Sequence, residues 1–263
     1  PWIIIPLLTI VYAGELVWRE REAGISEISG AAPVPEWVLF TGKFFGLMLM
    51  LLSWLTLVMI AGIFTQLRLD YNHFEIGQYV QTLFGIQLTD YVLFAMLSFV
   101  MHVVVDQKYI AHLLLLMAYG YITFAPTLGI ENKLFIYGSD TGWSYSNMNG
   151  FGPSLMPWLW FKLYWAAWAM LLALFARLLW VRSKEIGFKS RLQLVRSRFK
   201  GLTMWTIVFA VCLIIAVGGF ILYNTHVLND HDSASANTKK SVEYENKFSK
   251  FEHSPQPAIV GTK

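Results

Sequence analysis

The chain has 263 residues, of which 56% are hydrophobic, 16% aromatic and only 14% charged, with a formal net charge of +3. Soluble domains hold about 45–50% apolar and about 25% charged residues, so this composition excludes a disordered chain and leaves too few charges to cover an ordinary soluble enzyme. The small net charge argues against a nucleic-acid partner, and the single cysteine, Cys212, excludes an internal disulfide and a cysteine-based zinc site.

The chain opens at Pro1 with an apolar stretch already under way. Residues 1–13 have no charged leader and no cleavage site, so they do not read as a signal peptide. They are expected to be the end of a transmembrane helix truncated by the boundary of a fragment of a longer protein. Residues 14–36 are charged and helix-competent. Glu15 and Arg19 stand at i,i+4 in the favoured order. Val17, Trp18, Ile25 and Ile28 give a ragged apolar face, and Pro33 and Pro35 stop the helix before the next span. This pattern predicts a short amphipathic helix at the cytoplasmic surface.

A spanning helix needs about 20 mostly apolar residues. Five segments meet or approach that length: 37–64, 83–105, 109–128, 155–181 and Leu202–Tyr223. The second begins with the polar Gln87 and Asp90. Aromatic residues gather near the ends (Trp37, Tyr91, Tyr109, Trp158, Trp160, Trp180, Tyr223), as interfacial belts do. Hydrocarbon offers no hydrogen bonds, so each span must be a helix. The predicted fold is therefore all-α: a polytopic transmembrane bundle over residues 37–223, with about five full spans plus the truncated one.

Several polar residues interrupt this bundle. His102 and Asp106 stand at i,i+4, and His112 follows. At the rim of the membrane they read as a polar re-entry turn around 106–108 rather than a haem or metal site. Lys162 and Arg177 lie near opposite ends of the fourth span and are expected to snorkel without a role of their own. Residues 145–153 form a turn-rich outer loop, in which Tyr145, Asn147, Asn149 and Gly150 are candidates for an outer gate. Gly218 and Gly219 mark either a close helix contact or a flexible end. The polar tail, residues 224–263, is expected to hold a short surface helix within 241–251, carrying Val242, Tyr244, Phe248 and Phe251.

Orientation follows from the loop after the fourth span. It carries Arg182, Lys184, Lys189, Arg191, Arg196, Arg198 and Lys200 against one acid, Glu185. Such an excess marks the cytoplasmic side. Counting spans backwards puts residues 15–36 inside as well, and counting forwards puts the tail outside.

Residues 19–28 (Arg-Glu-Arg-Glu-Ala-Gly-Ile-Ser-Glu-Ile), the Pro-containing stretch 32–35 and Thr41-Gly42-Lys43 together resemble the cytoplasmic coupling segment of type-2 ABC exporter permeases. In that family an E-R-E-x-G-type helix follows the second span and precedes a Pro-containing turn and a Gly-Lys pair. Glu20, Arg21, Glu22 and Gly24 match the helix, and Gly42 and Lys43 match the pair. The resemblance implies ATPase-coupling residues, docking on a separate ATP-binding cassette subunit that uses the ATP. Alternating Arg and Glu suit charge-assisted hydrogen bonds to such a partner, and Gly24 permits close backbone approach.

Residues 71–77, 145–153 and 159–167 and the tail 224–257 are similar to a narrower group, permeases fused to a zinc aminopeptidase outside the membrane. That resemblance implies a bacterial inner (plasma) membrane location, permease units that work in pairs, and surrounding lipid. The chain contains no His-Glu-x-x-His, and Gly42-Lys43 leads into Phe44 rather than a P-loop Ser or Thr. The expectation is thus a chain with no catalytic, cofactor-binding or metal-binding residues of its own. The principal alternative is an anchor for the outer peptidase without transport. A third reading is a haem-bearing oxidoreductase using His102 and His112. The apolar spans hint at an amphiphilic, lipid-like or peptide cargo.

Overall fold

The computed structural model describes residues 3–25, 28, 33–105, 107–180, 195, 199, 201–228 and 234–251. The basic loop that sets the orientation (apart from residues 195 and 199), Asp106 and the tail beyond Phe251 lie outside the described residues. Among those described, every regular element is a helix and no strand forms.

Helix α1 spans Ile4–Glu22. The boundary expected between residues 13 and 14 falls in its middle, because Glu15, Arg19, Glu20, Arg21 and Glu22 are all competent helix formers and prolong the apolar turns before them. Helix α2 (Glu36–Arg68) starts directly after Pro35. At about 1.5 Å per residue it is about 50 Å long, more than the thickness of a hydrocarbon core. Helices α3 (Ile76–Val80) and α4 (Leu88–Val104) are joined by a π-helical turn, Gln81–Gln87, into one rod. Helix α5 covers Lys108–Phe124, α6 covers Gly152–Leu179 and α7 covers Leu202–Tyr223.

Among the described residues, four helices are long and apolar enough to cross a membrane: Trp37–Arg68, Ile76–Val104, Gly152–Leu179 and Thr203–Leu228. The span expected at 109–128 is a helix of 17 residues. It stops where Pro126, lacking an N–H, has nothing to donate to the carbonyl one turn back.

The chain divides into residues 1–221 and 222–263. In the first unit α1 is central. It packs against α2, α4 and α5, and it buries Ile5, Thr9, Ile10, Ala13, Gly14, Val17 and Trp18. The Thr9 hydroxyl donates to the Ile5 carbonyl at 2.8 Å, which keeps it satisfied in the core. Leu47, Leu51 and Leu55 recur at four-residue steps on α2 and meet Ile5 and Ala13. Phe40 and Phe99 pack edge to face at 5.0 Å, beside Trp180. Gly218 of α7 lies against Tyr164 of α6, whose ring carbon stands 3.1 Å from where a β-carbon would be. Gly219 has open space there.

The outer faces of the rods are apolar too. Phe45, Leu49, Ile60 and Phe64 on α2, and Trp205, Phe209 and Ile215 on α7, are all exposed. Soluble monomers rarely expose apolar faces of this extent; hydrocarbon accepts them. The second unit contains helix α8, Ala234–Phe248, which begins earlier than the expected 241–251. The Tyr244 and Phe248 rings lie 4.5 Å apart on it with their planes tilted by 41°, and both remain exposed.

Candidate functional site

The charged residues singled out in the sequence lie in the last two turns of α1. Glu20 pairs with Lys43 of α2 at 2.9 Å. The two motif fragments, separated in sequence, therefore meet in space. Glu15 and Glu22, two helical turns apart on one face, both reach Lys108 at the start of α5, at 2.6 and 2.9 Å. The Arg21 guanidinium lies 4.9 Å from the centre of the Trp18 ring, and the Lys43 ammonium lies 5.4 Å from that of Trp180. The lysines are mostly covered while the carboxylates are about a third to a half exposed. The hydrogen bond from Lys108 holds the Glu15 carboxyl below its usual range, and Glu15 and then Glu22 hold Lys108 above its own. These pairs tie the end of α1 to the starts of α2 and α5.

Gly24 takes the left-handed position that ends α1. Its φ is +68°, and its N–H donates to the Arg21 carbonyl at 3.1 Å, while Ile25 N–H donates to Glu20 at 3.1 Å. This pair of bonds is the Schellman ending, in which the left-handed position calls for glycine. A β-carbon at Gly24 would meet nothing within 4 Å, so glycine is set by the helix ending and not by a close approach within the chain.

The proposed outer gate residues close on themselves. Ser146 and Gly150 exchange backbone hydrogen bonds at 3.0 and 2.8 Å, and Asn149 N–H donates to the Ser146 hydroxyl at 3.1 Å. Asn147 and Asn149 thus belong to a small closed turn, with Met148 fully exposed at its tip. Tyr145 and Trp143 both pack edge-on against Phe151, at 5.1 and 5.8 Å.

Lys162 does not snorkel. Its side chain is only 5% exposed, and its ammonium pairs with Asp90 of α4 and, at 2.6 Å, with Asp140. It also donates to the Gly138 carbonyl at 2.7 Å. Beside it Trp165 donates to the Ser139 carbonyl at 2.9 Å, and Tyr137 donates to the Leu93 carbonyl at 3.0 Å. Burial pushes the Tyr137 phenol well above its usual range. The sequence did hold a signal for this network: two opposite charges, Asp90 and Lys162, near the same membrane face. Ionisable groups in spans seek such partners.

The two histidines also come together. His102 is 1% exposed, its ring centre 4.6 Å from that of His112, with the planes 67° apart. His102 Nε2 faces the Ile10 carbonyl at 3.3 Å, and His112 Nδ1 faces that of Lys108 at 2.7 Å. Gly14 makes room for both rings: a β-carbon there would come within 2.6 Å of His112. Axial nitrogens each sit about 2 Å from a metal, so two rings on opposite faces of a haem iron would lie much farther apart than these. Among the described residues no three His, Cys, Asp or Glu side chains converge as metal ligands.

The described residues of this unit also line cavities. One, of about 430 Å³, is lined by Tyr71, His73, Glu75, Gln78 and Tyr79 next to the π-helical turn. Another, of about 250 Å³, is bordered by Asp90 and the 136–139 loop. No protein-family model matches the chain, and no curated protein or solved structure matches it either.

Proposed function

We propose that the chain is the membrane part of an ABC-type exporter, coupled at residues 20–24 to a separate ATP-binding cassette subunit. The observation that carries the reading is the Glu20–Lys43 pair. It joins the two halves of the coupling motif at one end of the bundle, on a helix that the Lys108 pairs also fasten to α5. Force applied to the end of α1 passes into three helices together, as a transmission element requires. In this reading residues 14–36 face the cytoplasm as the coupling segment. The bundle holds five full spans with α1 as a sixth, the tail from residue 224 lies outside, and two permease units pair in a bacterial plasma membrane. The closed turn around Asn147 and Asn149 caps the outer end of the pathway.

The test is reconstitution of the full protein in lipid vesicles with the P-loop ATPase that co-purifies with it from native membranes. Hydrolysis should rise on adding the wild-type chain. The rise should fall with Arg21→Ala or with Glu20→Ala plus Glu22→Ala, while membrane insertion is kept. If no P-loop protein co-purifies, or hydrolysis ignores the chain and these variants, the coupling reading fails and an anchoring role takes its place.

A further inference from the structure

We infer that the 250 Å³ cavity beside Asp90 is a binding site for a small organic cation of the quaternary-ammonium class. The cavity is bordered by Asp90, Tyr91 and Phe94 on α4, by Tyr119 on α5 and by Tyr137 in the loop. Asp90 and Phe94 are one turn apart with Tyr91 beside them, so one helix face presents a carboxylate flanked by rings.

The charges around this cavity do not balance. Lys162 and Asp140 are the charged groups that act on Asp90, so two carboxylates share a single ammonium. Asp140 is fully engaged: one oxygen pairs with Lys162 and the other accepts from Gly142 N–H at 2.6 Å. Lys162 faces three oxygens, which uses its three N–H donors. Among the described residues Lys162 is the one partner of Asp90, and Asp90 shares it with Asp140. The surplus negative charge therefore rests on Asp90, at the cavity wall.

The other walls select the kind of cation. The Gly138 and Ser139 carbonyls already accept from Lys162 and Trp165, and the Tyr137 hydroxyl is spent on Leu93. Apart from Asp90, the polar side-chain groups at the wall are hydroxyls, those of Tyr91 and Tyr119 among them, and the rest of the side-chain lining is ring and aliphatic surface. A quaternary ammonium needs no hydrogen bond, since it takes a counter-charge and aromatic faces. At about 30 Å³ per water-sized group the space holds about eight such groups, which suits a choline-sized ion. Pro6 also lines the cavity, near the start of the helix whose last turns carry Glu20. The site is thus remote from the coupling residues, and it stands whether or not the bundle transports.

The test is titration calorimetry of the purified full protein in nanodiscs with choline chloride. The neutral carbon isostere of choline is run in parallel. Choline should bind saturably and the isostere about tenfold or more weakly, because only the cation gains from Asp90. Asp90→Asn should weaken choline binding by a similar factor and leave the isostere unchanged. Phe94→Leu, which keeps the charge network, should weaken choline as well and guards against misfolding of the first variant. Weaker choline binding in phosphatidylcholine than in phosphatidylglycerol nanodiscs assigns the ligand to a lipid headgroup, and equal binding assigns it to the free ion; both keep the site. Absence of saturable choline binding, equal binding of the isostere, or choline binding that survives both substitutions overturns it.

Discussion

The Glu20 carboxylate and the Lys43 ammonium meet at 2.9 Å across the junction of α1 and α2, with the ammonium 5.4 Å from the centre of the Trp180 ring. Its environment is mixed: the lysine is mostly covered and the glutamate is a third exposed. Such pairs contribute little on their own, about 0–1 kcal/mol. A double-mutant cycle of Glu20→Gln and Lys43→Met, read by thermal unfolding in detergent, should therefore give a coupling inside that range. A coupling of several kcal/mol would mean that the pair is more deeply desolvated than its geometry implies.

Gly24 offers a cleaner distinction. If glycine is there for its left-handed backbone, Gly24→Ala and Gly24→Leu should destabilise the protein almost equally, by about 1–2 kcal/mol. Gly24→Asn should cost less, because asparagine tolerates that conformation. A leucine penalty much larger than alanine's in the isolated chain would point to crowding that the open space around Gly24 does not contain.

Removing the Lys162 ammonium should be severe. Lys162→Met leaves the Asp90 and Asp140 carboxylates facing each other without a counter-ion. Stranding buried charge costs about 3–5 kcal/mol, and because Asp90 is 38% exposed the loss here should fall towards the lower end of that range. Adding Asp90→Asn and Asp140→Asn to the same variant should restore much of the loss. Unfolding in mixed micelles measures both. A mild effect of Lys162→Met alone would show that water reaches the network freely.

The pH response of the other end has two limbs. Lys108 lowers the Glu15 pKa, so that contribution is present above the ordinary carboxylate range and disappears as pH falls through the depressed value. The Lys108 pKa is raised, so its contribution is present below the ordinary lysine range and disappears as pH climbs through the elevated value. The difference in melting temperature between wild type and Lys108→Met should be flat at neutral pH and shrink towards both extremes. A difference that grows on acidification would reverse the assignment.

Gly14→Ala should act through the histidines. The added methyl would collide with His112 at 2.6 Å, and overpacking of this kind costs about 1–3 kcal/mol. Combining it with His112→Ala should recover stability, whereas combining it with a distant core change should not. Thermal unfolding of the four proteins decides the point.

Much of this fold was legible in the hydropathy pattern. Long apolar runs and the ban on unpaired backbone in hydrocarbon lead directly to helices at 37–64, 83–105, 155–181 and Leu202–Tyr223, and helices occur there. What escaped is neighbourhood. Nothing in the spacing of Asp90, Asp140 and Lys162 says that α4, the 136–140 loop and α6 adjoin, so Lys162 read as a snorkelling side chain. The unbroken run of α1 through residue 14 escaped for a related reason. A change from apolar to charged residues marks a change of solvent, and helix propensity is indifferent to it. Gly24 stands out in the sequence, but one letter cannot tell a helix ending from a docking surface.

The π-helical turn at Gln81–Gln87 sets the azimuth of everything after it. One residue more or less in a helix swings the following side chains by about 100° around the axis. Deleting a single residue from that turn would leave the hydropathy of the rod almost untouched, and the segment would insert as before. Yet Asp90 would rotate away from Lys162, and Tyr91 and Phe94 would sweep past the cavity they now wall. The turn works as an angular index, so length changes in this unremarkable stretch should be tolerated by insertion and rejected by assembly.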